Sequence, residues 1–124
     1  MSFSARVQQR GNVSLVELSG RLTSFETSGL RDTISGLLKR GRNNIILNMG
    51  GLSYLDSSGI GELARIYVTV IKRDGVMKVV GLTPKIEEIL KITQLYQIFQ
   101  EFNDEEAALK SFPESLKKES PDGG

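Results

Sequence analysis

The feature that most constrains this chain is an apolar run that leads directly into an amphipathic pattern, within residues 44–71. Residues 44–49 are typical of a short buried strand, and Gly50 and Gly51 indicate a turn after it. From residue 60 onward, apolar residues recur with the period of a helix that has one apolar face: Ile60, Leu63, Ala64, Tyr67, Val68 and Ile71. The pattern predicts a β-strand, a turn and an α-helix that packs inward.

Two hydroxyl groups lie where the predicted helix begins. Asp56 is the predicted N-cap, so Ser57, Ser58 and Gly59 fall in the first turn, whose backbone N–H groups have no intrahelical acceptor. These donors and the positive end of the helix dipole would stabilise a phosphate on Ser57 or Ser58. The same residue types are also ordinary cap and first-turn residues, so local chemistry alone leaves a purely structural role open.

Composition excludes several classes of function. The 124 residues suit one compact domain, and 16 basic against 15 acidic residues give a net charge of +1, with no block of like charge that would indicate nucleic acid or a membrane surface as a partner. Because the sequence contains no Cys and no His, a thiol nucleophile, the usual zinc sites and a Ser-His-Asp triad are impossible. No apolar run approaches the roughly 20 residues of a membrane span, and residues 1–6 lack a signal-peptide core. We expect a cytoplasmic binding protein without metal or cofactor.

The rest of the sequence alternates strand and helix signals. In chain order, the further predicted elements are strands at 3–7 and 13–18, a helix ending at Gly41, a strand at 76–81, a helix from Pro84 to about Thr93, a short strand at 98–102 and a last helix. Ser24 is a candidate cap for the first helix, and Asn103 with Glu106 forms a capping-box pattern for the last. This order predicts an α/β fold in which a mixed sheet begins with an N-terminal hairpin and is flanked by about four helices. Residues 113–124 are too polar to bury much surface, so we expect a domain over residues 1–112 and a flexible tail.

The chain resembles a known family over roughly residues 3–112. The residues that carry the resemblance are Gly20, Arg21 and Leu22, the run from Ile45 to Gly59, Gly75 before a Val-rich strand, residues 84–95 and residues 106–109. The sequence is similar to the STAS domain and, within it, to the bacterial anti-sigma factor antagonists.

The resemblance implies a STAS fold and a switch controlled by phosphorylation. It implies that Ser57 is the phosphate acceptor, with Ser58 as the fallback, and that the partner-binding residues are Asp56, Ser57, Ser58, Gly59 and Thr23. The implied partners are an anti-sigma factor that is also a GHKL-type serine kinase, and a PP2C-type phosphatase. The unmodified protein would bind the kinase and free the sigma factor. Thr23 stands where the family usually has Asp, so a negative charge expected near the acceptor is replaced by a hydroxyl.

Other functions remain to be weighed against this one. Within the same fold, the chain could be a STAS subunit of another assembly, such as a stressosome-like complex or a lipid-transport ABC system. A phosphoaspartate receiver would use Asp56, but it needs a pair of acidic residues after the first strand, and the acidic residues before residue 40 are not adjacent. An enzyme with Ser57 as nucleophile would need a lysine as its base. None of Lys72, Lys78 and Lys85 has a local reason for a lowered pKa, so we expect no catalyst.

Two further interpretations concern packing near this helix. Gly59 and Gly61 either allow a partner backbone to approach the helix or allow the helix to pack tightly on its own sheet, and the second is the commoner use. Tyr54 is interpreted as a residue at the edge of the core rather than as a contact for a partner.

Overall fold

A five-stranded sheet carries the helices of the protein, as seen in a computed structural model that describes residues 3–113. The strands are β1 (Ser4–Arg10), β2 (Val13–Leu22), β3 (Asn44–Leu55), β4 (Val76–Val80) and β5 (Gln100–Phe102). The helices of these residues are α1 (Thr27–Lys39), α2 (Ser57–Lys72), α3 (Pro84–Ile92) and α4 (Glu105–Lys110), with one turn of 3-10 helix at Leu95–Gln97.

Strand order in the sheet follows chain order, β1-β2-β3-β4-β5. β1 and β2 form an antiparallel hairpin, and Gly11 in its turn has a φ of 61°. β2, β3, β4 and β5 pair in parallel, so a crossover connection joins each of these strands to the next. The predicted mixed sheet with an N-terminal hairpin and about four helices is therefore confirmed.

The sheet has two unequally covered faces. Helices α1, α2 and α3 cover one face, and their buried side chains join those of the strands in the larger core, including Leu30, Leu63 and Leu90. The other face is covered by α4 and the segment after it, where Ala108 and Phe112 pack on a smaller set: Val13, Leu15, Ile46 and Val80. All these residues are buried, so the two clusters hold the sheet from both sides.

The predicted turn at Gly50 and Gly51 is wrong, because β3 continues through both glycines to Leu55. A Cβ atom at Gly51 would lie 2.6 Å from the carbonyl oxygen of Leu18, so the glycine is needed where two strand backbones come very close. The β2–β3 register is irregular on both sides of Gly20, which is where a strand bends. The glycines therefore mark a distorted strand and not its end.

The end of β3 projects beyond its neighbour on one side. Pairing between β3 and β4 ends at Asn48 and Val80, whereas β2 and β3 stay paired as far as Leu22 and Leu55. Residues 19–22 and 50–55 thus form a two-stranded extension, called the ribbon below. The ribbon leads directly into α2.

Several predicted element ends shift by a few residues. The cap of α4 is Asp104, which accepts a hydrogen bond from Ala107 N–H at 2.8 Å, and not Asn103. The cap of α1 is Glu26, not Ser24, and it makes no side-chain cap bond. The final strand is only Gln100–Phe102. The predicted tail, apart from Pro113, lies outside the described residues.

The buried face of α2 differs from the predicted one. Its buried residues are Gly59, Glu62, Leu63, Ile66 and Val70, whereas Val68 and Ile71 are 47% and 45% exposed. The helix carries apolar side chains over more than half of its circumference, so periodicity alone gave a face rotated from the true one. The helix itself was correctly predicted.

Candidate functional site

The start of α2 is held by Asp56, as predicted. Its Oδ1 atom accepts the Gly59 N–H at 2.9 Å, and its Oδ2 atom accepts the Ser24 N–H at 3.3 Å. The backbone N–H of Asp56 also donates to the Leu22 carbonyl at 3.4 Å. One carboxylate therefore caps the helix and ties its start to the loop that follows β2.

Ser57 and Ser58 are exposed in the first turn of this 16-residue helix. Within residues 3–113, no group hydrogen-bonds to either hydroxyl, and the first turn of α2 contains no acidic residue. A phosphate attached here would meet the backbone N–H groups of Ser57 and Ser58 and the positive end of the helix dipole, beside the Asp56 carboxylate that accepts the Gly59 N–H. Both hydroxyls are chemically available for modification.

The loop between β2 and α1 brings Thr23 to the same edge of the sheet. The Thr23 hydroxyl donates to Glu26 Oε1 at 2.5 Å, and the Glu26 N–H donates to the Thr23 carbonyl at 2.9 Å. This reciprocal pair rigidifies the turn and places it one residue from the Ser24–Asp56 bond. Thr23 and Asp56 therefore belong to one surface, which we call the helix-start surface: residues 23–26 and 56–58.

Gly59 and Gly61 have different roles. A Cβ atom at Gly59 would lie 2.3 Å from the Leu22 carbonyl oxygen, so this glycine lets the helix start pack on the end of β2. Because Gly59 is buried, any effect on a partner would be indirect. A Cβ atom at Gly61 would meet nothing within 4 Å, so the expected packing role is wrong for Gly61. The open space there leaves room for a partner backbone.

A buried carboxylate lies one turn further along α2. The side chain of Glu62 has no exposed surface, and it accepts hydrogen bonds from Arg31 Nη2 at 2.7 Å and from Arg65 Nη1 at 2.8 Å. Burial raises the pKa of Glu62, but the hydrogen bonds and charges of the two arginines outweigh it, so the pKa lies below its usual value. The cluster joins α1 to α2 behind the helix-start surface.

The environment of Lys78 differs from the predicted one, but Lys78 lies on the face of the sheet opposite to α2 and Ser57. Its side chain is buried, and desolvation lowers its pKa, so the expectation that it has no reason for a shift is wrong. Its Nζ atom donates to the Ser111 hydroxyl at 2.5 Å and lies 4.2 Å from the centre of the Phe112 ring. These contacts are beneath α4, whereas Ser57 begins the helix that packs on the opposite face. Lys78 therefore supplies no base to Ser57.

Three residues in or near the helix-start surface were not expected from the sequence as members of a site. Glu26 stands three residues after Thr23, a capping-box spacing that could have revealed the pair. Glu62 interrupts the buried face of α2, but nothing local in the sequence identifies Arg31 as its partner. Phe25 is 88% exposed between Ser24 and Glu26, and an aromatic residue in a polar turn is a signal for a contact surface.

Neither a metal centre nor a membrane span is found in the described part of the chain. Residues 3–113 contain no group of three or more acidic, His or Cys side chains placed to hold a metal ion. No helix within that range is both long and apolar enough to cross a bilayer.

Comparison with known proteins gives consistent matches. Residues 4–108 match the family described as STAS domain. An anti-sigma F factor antagonist from Paenibacillus polymyxa is 26% identical over 110 residues, covering 88% of this chain and 94% of that protein.

Solved structures of similar proteins share the fold. An anti-sigma factor antagonist from Mycobacterium paratuberculosis superimposes with a TM-score of 0.79 at 23% identity, covering 89% of this chain and 93% of the other. The Bacillus cell fate determinant SpoIIAA in its phosphorylated form gives a TM-score of 0.67 at 22% identity, covering 90% of this chain and 100% of the other.

Proposed function

Because the chain belongs to the STAS domain family, we propose that it is an anti-sigma factor antagonist that switches partners by phosphorylation. In its unphosphorylated form it binds an anti-sigma factor that is also a GHKL-type serine kinase, and the sigma factor is released. Phosphorylation of Ser57 ends that binding, and a PP2C-type phosphatase restores it. The protein acts in the cytoplasm as a binding switch and not as a catalyst.

The observation that carries this proposal is the exposed Ser57 hydroxyl at the capped start of α2. The hydroxyl has no hydrogen-bond partner in residues 3–113, so a kinase can take its proton without breaking an internal contact. Asp56 holds the helix start through Gly59 and the neighbouring loop through Ser24, so the acceptor sits on a rigid platform. Ser58 is the alternative acceptor in the same turn.

Phosphorylation would change binding without unfolding the protein. It adds about −1.5 to −2 charges, and the helix N-terminus stabilises such a group rather than repelling it. A partner that fits the free hydroxyl cannot desolvate a phosphate cheaply. A loss of about 3 kcal/mol would lower affinity more than a hundredfold, enough to return the kinase to its sigma factor.

The surroundings of Ser57 support a protein partner. Phe25, 88% exposed, extends from the same loop that Asp56 holds, and exposed aromatic residues often become the buried anchors of interfaces. Thr23 contributes no charge to this surface, and its hydroxyl is engaged by Glu26. We therefore expect any negative charge that the partner reads at this point to come from the Glu26 carboxylate and not from residue 23.

The test uses the purified GHKL-type kinases encoded in the source genome. Each is incubated with ATP and wild-type protein, Ser57→Ala or Ser58→Ala, and phosphate incorporation is read by intact mass. Ser57→Ala should lose most incorporation, and Ser58→Ala should retain it. Incorporation that is unchanged in Ser57→Ala and maps to Ser58 or Thr23 would show that the acceptor is misassigned.

Binding is measured separately by calorimetric titration of the kinase, with ADP, into wild-type, Ser57→Asp and phosphorylated protein. Affinity should fall in that order while circular dichroism stays constant. Ser57→Asp should act only in part, since it has one charge and fewer acceptor oxygens. Equal affinities for all three proteins would contradict the switch. A wild-type protein that binds none of the kinases but joins a large complex would favour the STAS subunit of another assembly.

A further inference from the structure

Two cations, one from the ribbon and one from α3, pack on the aromatic ring of Tyr54. Arg21 and Tyr54 are paired across β2 and β3, and the guanidinium carbon of Arg21 lies 4.3 Å from the centre of the Tyr54 ring. The Nζ atom of Lys85, from the first turn of α3, lies 5.8 Å from the same centre. The ring therefore gathers positive charge from two separate elements.

Neither cation is neutralised by a carboxylate of the described residues. The ion pairs within residues 3–113 involve Arg6, Arg31, Arg65 and Lys91, and include neither Arg21 nor Lys85. Both side chains are exposed. Stacking on Tyr54 limits their motion, so less side-chain entropy would be lost when a partner binds them.

The position of this cluster relates it to Ser57. Tyr54 precedes Ser57 by three residues, so their Cα atoms are no more than about 11 Å apart even in a fully extended chain. Within residues 3–113 no strand pairs with β3 on the β4 side at this point, so this edge of the ribbon is not covered by a strand. A protein that covers the start of α2 would therefore reach the cations with an adjoining part of its surface.

We propose that Arg21, Tyr54 and Lys85 form a second contact for the partner, which receives an acidic segment of that protein. The inference rests on the proposed function, since it assumes that a protein docks at Ser57. Two clustered cations complement two carboxylates on one segment, and charge complementarity of this kind sets specificity and association rate. A nucleic acid is a poorer match, because the chain has a net charge of only +1 and no basic block. The proposed interface thus has one part that is modified, at Ser57, and a second, electrostatic part that is not modified, at Arg21, Tyr54 and Lys85.

The first experiment does not depend on the identity of the kinase. Isotope-labelled protein is titrated at low salt with a blocked decapeptide of alternating Glu and Asp, and with the same peptide made of Gln and Asn. The acidic peptide should cause saturable NMR shifts centred on Arg21, Tyr54 and Lys85, and the neutral peptide should cause none. A single-stranded oligonucleotide is titrated in parallel, and tighter binding of it at the same residues would overturn the assignment to an acidic protein segment.

Matched variants separate this cluster from general charge. The double variant Arg21→Gln with Lys85→Gln removes two positive charges from the cluster. The control double variant, Arg10→Gln with Lys72→Gln, also removes two positive charges, at the last residue of β1 and the last residue of α2. The first pair should abolish the peptide shifts, and the second should keep them. Equal shifts in both double variants, or shifts centred elsewhere, would overturn the proposal.

The second experiment uses the kinase that binds wild-type protein in the calorimetric assay. Arg21→Gln with Lys85→Gln should weaken binding about tenfold and reduce its salt dependence, whereas the control pair should change neither. Tyr54→Phe keeps the ring and should bind normally, and Tyr54→Leu should bind more weakly. Full affinity of the Arg21 and Lys85 variant would refute the second contact and leave the proposed function intact. If no kinase binds wild-type protein, the proposed function fails and the second contact for that partner fails with it, whereas saturable peptide shifts at Arg21, Tyr54 and Lys85 would still show a site for acidic segments.

Discussion

Replacing Gly59 with Ala should destabilise the protein, although the same change at Gly61 should stabilise it. Both glycines lie in the first turns of α2, and each substitution adds one methyl group. At Gly61 the methyl group meets nothing within 4 Å, so only the helix propensity changes, and we expect a gain of about 0.5–1 kcal/mol. Gly61→Ala is thus the matched control.

The expected loss of stability in Gly59→Ala follows from the short distance between the added methyl group and Leu22. The added Cβ atom would lie 2.3 Å from the Leu22 carbonyl oxygen and 3.1 Å from its Cγ, so the helix start must move by most of an ångström. Overpacking of this kind costs about 1–3 kcal/mol, and weakening the Asp56 cap adds up to about 1 kcal/mol. After subtraction of the propensity gain, we expect a net loss of about 2 kcal/mol, or roughly 8 °C in melting temperature.

The assay is urea denaturation followed by far-UV circular dichroism, with thermal unfolding as a second measurement. Wild type, Gly59→Ala and Gly61→Ala are compared at one protein concentration. Gly59→Ala should also bind the kinase more weakly, because the helix start that carries Ser57 is displaced. A Gly59→Ala variant as stable as wild type would refute the contact between the helix start and β2.

Other substitutions test the remaining contacts. Glu62→Gln should lower the free energy of unfolding by about 2 kcal/mol. This loss is smaller than the loss expected for a fully buried ion pair, because both arginines are partly exposed. The pKa of Glu62 is lower in the folded state than in the unfolded state, so the ionised Glu62 stabilises the fold at every pH above the unfolded-state pKa. This stabilisation is lost as the pH falls through the folded-state pKa. The difference in free energy of unfolding between Glu62→Gln and wild type should therefore shrink below about pH 4.5 in denaturation curves. Asp56→Ala should cost about 1 kcal/mol and weaken kinase binding, whereas Asp56→Asn keeps the cap; full affinity of the Asn variant would show that the charge is not recognised. Deleting residues 113–124 should leave folding and switching intact, and a fall of several degrees in melting temperature would show that the tail is docked.

Elements with strong local signals were predictable from the sequence. The Asp56 cap, the α3 start at Thr83 and Pro84, and the N-terminal hairpin each depend on neighbouring residues only. The continuation of β3 through Gly51 was not predictable, because glycine normally weakens a strand, and the reason for it is the approach of Leu18 from another strand.

The functional site likewise has a part that the sequence predicts and a part that it does not. The sequence identifies Ser57 and its cap, since both are set within one helical turn. It does not reveal that Ser24 donates to Asp56 across 32 positions, or that Arg31 reaches Glu62 across 31. Such contacts depend on how the helices and strands assemble, and no local pattern encodes them.

A sheet whose strand order follows chain order can be built during synthesis. Each strand after β1 pairs with the strand made immediately before it, so every new strand finds its partner already synthesised. The face beneath α4 is the exception, because its cover is the last folded segment of the described chain to emerge. A nascent chain that stops before residue 105 would leave four buried side chains in water: Val13, Leu15, Ile46 and Val80. A chain stalled at that length is therefore still open to aggregation and to capture by chaperones, even though the larger core is already covered by α1, α2 and α3.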